Sequence, residues 1–216
     1  MAEARTRRTS AAALAVTAAL SVAVTTGCSS AHPDRSASAE ESAASVQRAA
    51  HLAPVAALRP SVPDHITIPS IHVDAHLDSV GLDGDGVMQT PPYDRPMEAS
   101  WYQEGPTPGE KGAAAIAGHM DTPEVPEAVF HNLEDLKKNQ EIDIRREDGT
   151  TAVFAVDSVE TYAKSAFPTR KVYGKTDKAE LRLITCGGHL TKDRHWDSNV
   201  VVFAHLTGKE TVKPPR

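Results

Sequence analysis

Two cysteines in 216 residues are too few for the disulfide framework that holds many small secreted domains together. They stand far apart, at Cys28 and Cys186. If Cys28 is otherwise engaged, Cys186 has no partner and must be inert, metal-bound or a working nucleophile. Basic blocks are also missing: Lys and Arg number 23 against 29 Asp and Glu, a net charge of −6. That balance excludes nucleic acid as a partner. A spanning helix needs about 20 strongly apolar residues, and the candidate run AAALAVTAALSVAVTT is sixteen residues diluted with Thr and Ser. A second close pair of metal-type ligands is lacking as well. Cys186-x-x-His189 has metal-like spacing and His119-x-Asp121 could add to it, but a zinc site wants four clustered ligands. Asp83 and Asp85 in LDGDG are a faint calcium candidate and read better as turn chemistry. No metal or cofactor is therefore expected, and no internal repeat is visible.

What is present begins with Arg5, Arg7 and Arg8 ahead of the uncharged run, the layout of an export signal. VTTGCSSA then resembles a bacterial lipobox, in which a signal peptidase cuts before a cysteine bearing lipid. Gly27 and Cys28 fit it, while Thr25 departs from the leucine usual three residues before the cysteine. A cut after Ala31 would instead release a soluble protein, and an uncleaved N-terminal anchor is the third alternative. A Cys28–Cys186 bridge would tie a tail to the domain. The expectation is export to the extracellular face of the cell membrane, with Cys28 the lipid attachment point. Removing residues 1–27, with three arginines and one glutamate, takes the net charge from −6 to −8. The chain thus divides into a signal at 1–28, an Ala/Ser-rich tether at 29–61 that cannot bury a core, a domain at 62–208 and a short tail at 209–216.

Within the domain, ITIPSIHV and AHLDSVGL read as short strands, and LDGDGV as a Gly-rich hairpin turn. GAAAIAGHM is a small-residue strand that stops at His119. AVFHNLEDLKKN carries helical spacing at Val129, Leu133 and Leu136. EIDIRREDGTTAVFAVDSVETY is two strands around an Asp148-Gly149 turn, and LRLITC and NVVVFAHL are the last two. About eight strands with one or two short helices predict a mainly β fold closed into a barrel, since closure removes exposed edges.

Three ionisable residues fall where these strands end: His119, Cys186 and Arg194. A strand end combines a rigid support with access, which suits a catalytic group. Gly187 and Gly188 permit a sharp turn and close approach of a substrate to Cys186. Arg170 and Arg182 are other candidate cations, although Arg182 alternates with Leu181 and Leu183 and so is expected to face solvent. Thr185, Gly187 and Trp196 are candidates for lining a substrate groove. Asp121 and Thr122 are expected to shape the turn after His119, and Trp101 to line the groove or pack at a barrel edge.

LITC at 183–186, AGHMDT at 117–122 and the order His, Cys, Arg resemble the sortases, bacterial cysteine transpeptidases that attach proteins to the cell wall. Gly187-Gly188, NVVVFA and WYQEGPTPGEKGAAAIAGH further resemble the actinobacterial class F branch. The resemblance spans residues 64–206 and implies a closed eight-stranded sortase-type barrel acting as a monomer without cofactor. It also implies secreted proteins with a C-terminal LPxTG-like sorting signal as substrates and a cell-wall amine as acceptor. Cys186 would be the nucleophile, His119 the proton carrier, and Arg194 the cation that favours the thiolate and the oxyanion. An ordinary thiol and an ordinary imidazole would both be charged in roughly one molecule in a hundred near neutral pH, so such a site gains from a cation. In the family the arginine often opens the last strand, whereas Arg194 stands five positions before Asn199, so its loop must curl back. Two other readings stay open on the residues alone. An L,D-transpeptidase also uses a cysteine on a β scaffold, although its SHGC-type signature is absent. A lipid-anchored binding protein would keep Cys186 buried or oxidised.

Overall fold

The computed structural model describes residues 55–211. The export signal, Cys28 and most of the expected tether lie outside the described residues, as do residues 212–216. Eight strands close into a barrel: β1 (Pro63–Ile68), β2 (Val73–Val80), β3 (Ala99–Tyr102), β4 (Gly112–Gly118), β5 (Glu141–Arg146), β6 (Thr150–Ala163), β7 (Ala179–Leu190) and β8 (Trp196–Thr211). Around the barrel the order is β1-β2-β3-β4-β7-β8-β6-β5, with β5 returning to β1. The mainly β, eight-stranded closed barrel expected from the sequence is present. β2 pairs with β3 in parallel, as does β4 with β7; the other neighbours are antiparallel.

Alternation builds the interior. In β2, residues 73, 75 and 77 turn inward and residues 74 and 76 outward, as a half-buried strand requires. Phe130, Phe154, Ile116, Leu181, Leu183 and Val202 share the inner core. β4 and β7 lack this alternation because both of their faces are covered. Outside the barrel, Ala115, Ile184, Val201 and Phe203 form a second apolar layer under the short helix α1 (Thr169–Tyr173), which contributes Val172.

Several local expectations change. ITIPSIHV is not one strand: Pro69 opens a 3-10 turn through Ile71, His72 takes a left-handed φ of 57°, and Val73 begins β2. The LDGDG turn exists, with the Asp83 carboxylate accepting from the amides of Asp85 and Val87. It closes a small hairpin at Leu82–Met88 outside the barrel, since the parallel strands β2 and β3 cannot be joined by a tight turn. The helix expected in AVFHNLEDLKKN is only a 3-10 turn at Leu133–Asp135. There the amides of Val129 and Phe130 bond to the carbonyls of Pro96 and His119, so the segment spends its donors on neighbours rather than on its own turns. Val129, Leu133 and Leu136 are buried plugs all the same. β3 and α1 were not legible as elements. Leu58 packs on the core and its amide bonds to Gly109, while Thr150 pairs with Thr211 at the end of β8.

α1 is clamped to the barrel by charge. The Lys171 ammonium sits 2.6 Å from the Glu160 carboxylate of β6 and lies over the Phe203 ring at 5.0 Å. Its hydrogen bond holds the Glu160 carboxyl below the ordinary carboxylate range. A lowered folded-state value contributes stability that is present above the unfolded value and lost as pH falls through the folded one. α1 is therefore expected to loosen as pH drops below about 4. Lys171→Met should weaken that acid sensitivity, measured by chemical denaturation across pH 3–7.

Candidate functional site

The parallel register of β4 and β7 ends with Ala117 opposite Ile184. Carried two residues further, it sets His119 level with Cys186. On the other side of β7, Cys186 pairs with Asn199 of β8, and Asn199 pairs with Tyr162 of β6. Cys186 and Asn199 are thus paired neighbours, and His119 directly follows the end of β4 on the other side of β7. Alternation turns Cys186 to the same outer face as Ile184, whereas Leu181 and Leu183 point into the core.

Above these strands lies a cleft of about 680 Å³ that His119, Thr185, Cys186 and Asn199 all line. Its walls are the 82–91 segment on one side and Lys164, Phe167, Thr169 and Tyr173 on the other. Most of the lining is apolar. Burial pushes the Tyr102 and Tyr173 phenols up, so both stay neutral. Lys164 and His119 are the basic groups in the lining, and no carboxylate joins them among the described residues.

Cys186 is a half-buried free thiol. Contrary to the strand-end expectation, it sits inside β7, which runs on with β8 as a hairpin beyond the barrel as far as Leu190–Trp196. The Lys164 ammonium approaches Cys186 Sγ to 3.6 Å. His119 is buried, and its Nε2 lies 2.8 Å from the Pro91 carbonyl. A carbonyl only accepts, so Nε2 carries the proton of that bond and Nδ1 is the nitrogen free to exchange one. Tyr93 stacks on the imidazole with ring centroids 4.5 Å apart. Thr185 is buried, and its Oγ1 has no hydrogen-bond partner among the described residues.

The other expected site residues fall elsewhere. Arg194 occupies the hairpin tip with φ 59°, its amide bonded to the Thr191 carbonyl, and it does not line the cleft. Leu190, four residues past Cys186, still pairs with Trp196, so the tip begins roughly 13 Å along the strand from the thiol. The loop does not curl back. Gly187 packs on Val200 rather than lining the cleft, and Gly188 takes φ 83° at a β-bulge where a Cβ would collide with Asp197 and Ser198. The two glycines thus serve the hairpin, not the approach of a ligand. Arg182 is buried instead of solvent-facing, held by Glu180 and lying 4.6 Å from the Phe203 ring centroid. Arg170 is exposed on α1 outside the lining. His189 bonds through its amide to Asp197, and among the described residues no cluster of three metal-type ligands occurs. Trp101 is buried, with Nε1 donating to Pro106 O. Sequence reasoning missed Lys164 and Asn199: both are common surface-type residues, and nothing in their neighbours marks them.

Trp196 also stays out of the cleft. Its Nε1 donates to Asp121 Oδ1 at 2.9 Å, strapping the β7–β8 hairpin to the turn after His119. Thr122 shapes that turn by accepting from the Val125 amide. Trp196→Phe removes the donor and keeps most of the ring. Amide exchange across residues 187–198 is expected to quicken, with global stability changing by about 1 kcal/mol or less; hydrogen-exchange mass spectrometry measures it.

A family model described as the sortase domain matches residues 66–207. Among solved structures, the chain is similar to sortase A of Listeria monocytogenes at 19% identity and a TM-score of 0.53, covering 71% of this chain and 92% of that one. It is similar to the SrtA sortase of Actinomyces oris at 18% identity and a TM-score of 0.54, covering 76% and 88%. A lid mutant of sortase A from Corynebacterium diphtheriae matches at 20% identity and a TM-score of 0.51, covering 73% and 74%. No curated protein matches the sequence. At these identities the structural likenesses speak for the barrel alone, while the domain match extends over most of the chain. The protein belongs to the sortase family of cysteine transpeptidases.

Proposed function

We propose that this sortase cleaves an LPxTG-like sorting signal near the C-terminus of exported proteins and passes the acyl group to a cell-wall amine, with Cys186 as nucleophile and His119 as proton carrier. The carrying observation is that His119 and Cys186 line one cleft beside the parallel strands β4 and β7. In the reaction, Cys186 Sγ as thiolate attacks the Thr–Gly carbonyl carbon. A C–S bond forms and the carbonyl pair moves onto oxygen. Collapse then breaks the C–N bond, and the departing glycine amine takes a proton from His119. An incoming amine reverses the sequence on the thioester and returns a proton to His119.

Nδ1 is the nitrogen of His119 suited to this exchange, because Nε2 is engaged by Pro91. The apolar lining, with Leu82, Val87, Ile184 and Phe167, suits the leucine and proline of such a signal. The Gly-Gly after Cys186, NVVVFA and WYQEGPTPGEKGAAAIAGH favour a class F-like type. The basic start and uncharged run favour export, with Cys28 as lipid attachment and a tether holding the barrel off the membrane.

The purified protein, incubated with an LPxTG-type peptide, is expected to gain an acyl mass on Cys186, read by peptide mass spectrometry. Cys186→Ala should gain none, and His119→Ala should slow adduct formation by about a hundredfold or more. Absence of an adduct with every such peptide overturns the reading.

A further inference from the structure

His119, Cys186 and Asn199 supply an imidazole, a thiol and an amide, but no standing cation. Asn199 takes the position on β8 directly opposite Cys186. Arg194 is at the hairpin tip, Arg170 is exposed outside the cleft, and Arg182 is held by Glu180 against Phe203. The positive charge at the sulfur comes from a different element. β6 ends at Ala163 opposite Ser198, one residue past the Tyr162–Asn199 pair, and Lys164 opens the turn that follows. Its side chain extends over β8 to Cys186 Sγ at 3.6 Å. Lys164 makes no ion pair among the described residues, so its ammonium has donors to spare. The end of β6 is itself anchored, because the Glu160 carboxylate accepts from both the Tyr162 hydroxyl and Lys171 of α1.

We infer that Lys164 is a catalytic residue of this sortase, supplying from the β6–β7 connection the cation that stabilises the Cys186 thiolate and then the oxyanion. The inference rests on Cys186 being the nucleophile. As the C–S bond forms, the negative charge held by sulfur passes to the carbonyl oxygen, which is bonded to the carbon that sulfur attacks. An ammonium beside Sγ is beside that oxygen too, and the step takes no proton from it. The proton taken by the leaving amine comes from His119. Of the ionisable groups facing the thiol in the cleft, His119 favours the thiolate only when protonated, and Tyr102 and Tyr173 stay neutral. That leaves Lys164 as the standing positive charge.

The test compares the full-length wild type with Lys164→Met, Lys164→Gln, Lys164→Arg and Arg194→Ala, each checked for folding by circular dichroism. Two rates are read: alkylation of Cys186 by iodoacetamide across pH 5–10, and acylation by an LPxTG-type peptide. In Lys164→Met and Lys164→Gln the alkylation profile is expected to move to higher pH, with the rate at pH 7 falling about fivefold. Acylation should fall further, roughly a hundredfold, because an oxyanion donor is lost as well. Lys164→Arg should restore most of both. An unchanged alkylation profile in both folded neutral variants overturns the inference. So does a loss in Arg194→Ala that the Lys164 variants lack. Failure of the wild type to form any acyl adduct instead counts against the proposed function, and the alkylation comparison still decides the charge at Cys186.

Discussion

Parallel pairing of β4 with β7, continued by antiparallel β8, is the constraint on which the cleft depends. One ladder sets Ala117 opposite Ile184 and Cys186 opposite Asn199. Because side chains alternate with a period of two, a slip of one residue in β7 would turn Cys186 inward and Thr185 outward. The slip is opposed by burial. Leu181 and Leu183 fill the inner core while Ile184 fills the outer layer, so a shifted register would misplace apolar groups on both sides at once. The position of the thiol is thus held by residues that take no part in its chemistry.

The same two-sided burial explains the composition of the neighbouring strands. β4 is built from alanine, glycine and one isoleucine because Phe130 and the outer layer press on it from opposite sides. Arg182 occupies an outer position that solvent would normally claim, and it is held there by Glu180 and the face of Phe203. Its Nε has no partner among the described residues, and that cost is offset by the packing around it. α1 completes the layer and forms one wall of the cleft, so the Lys171–Glu160 pair that clamps it supports the site as much as the fold.

Groups around the sulfur come from distant parts of the chain. His119 follows β4, Asn199 belongs to β8, Pro91 and Tyr93 come from the β2–β3 connection, and Lys164 from the β6–β7 connection. The hairpin bearing Cys186 is steadied by Trp196 on Asp121 and by Asp197 on the His189 amide and the Ser198 hydroxyl. A rigid ladder underneath and connections above make an arrangement in which the Cys186 thiol is fixed while the cleft walls come from connecting segments.

By itself the sequence determined the barrel, the boundaries of β4 and the β5–β6 hairpin, and it singled out His119 and Cys186, which line one cleft. Those signals are local: alternation, an Asp-Gly turn, and short motifs whose residue types carry the chemistry. Tertiary structure alone decided which cation faces the thiol. Spacing along the chain pointed to Arg194, eight residues past Cys186, yet the hairpin stays extended and carries that arginine away from the cleft. Lys164, 22 residues before Cys186, comes close only because β6 pairs with β8 and β8 with β7. A strand order that is not sequential erases the link between nearness in sequence and nearness in space. Burial of Arg182 and the irregular path of residues 127–138 have the same origin, since each depends on what another segment lays across it.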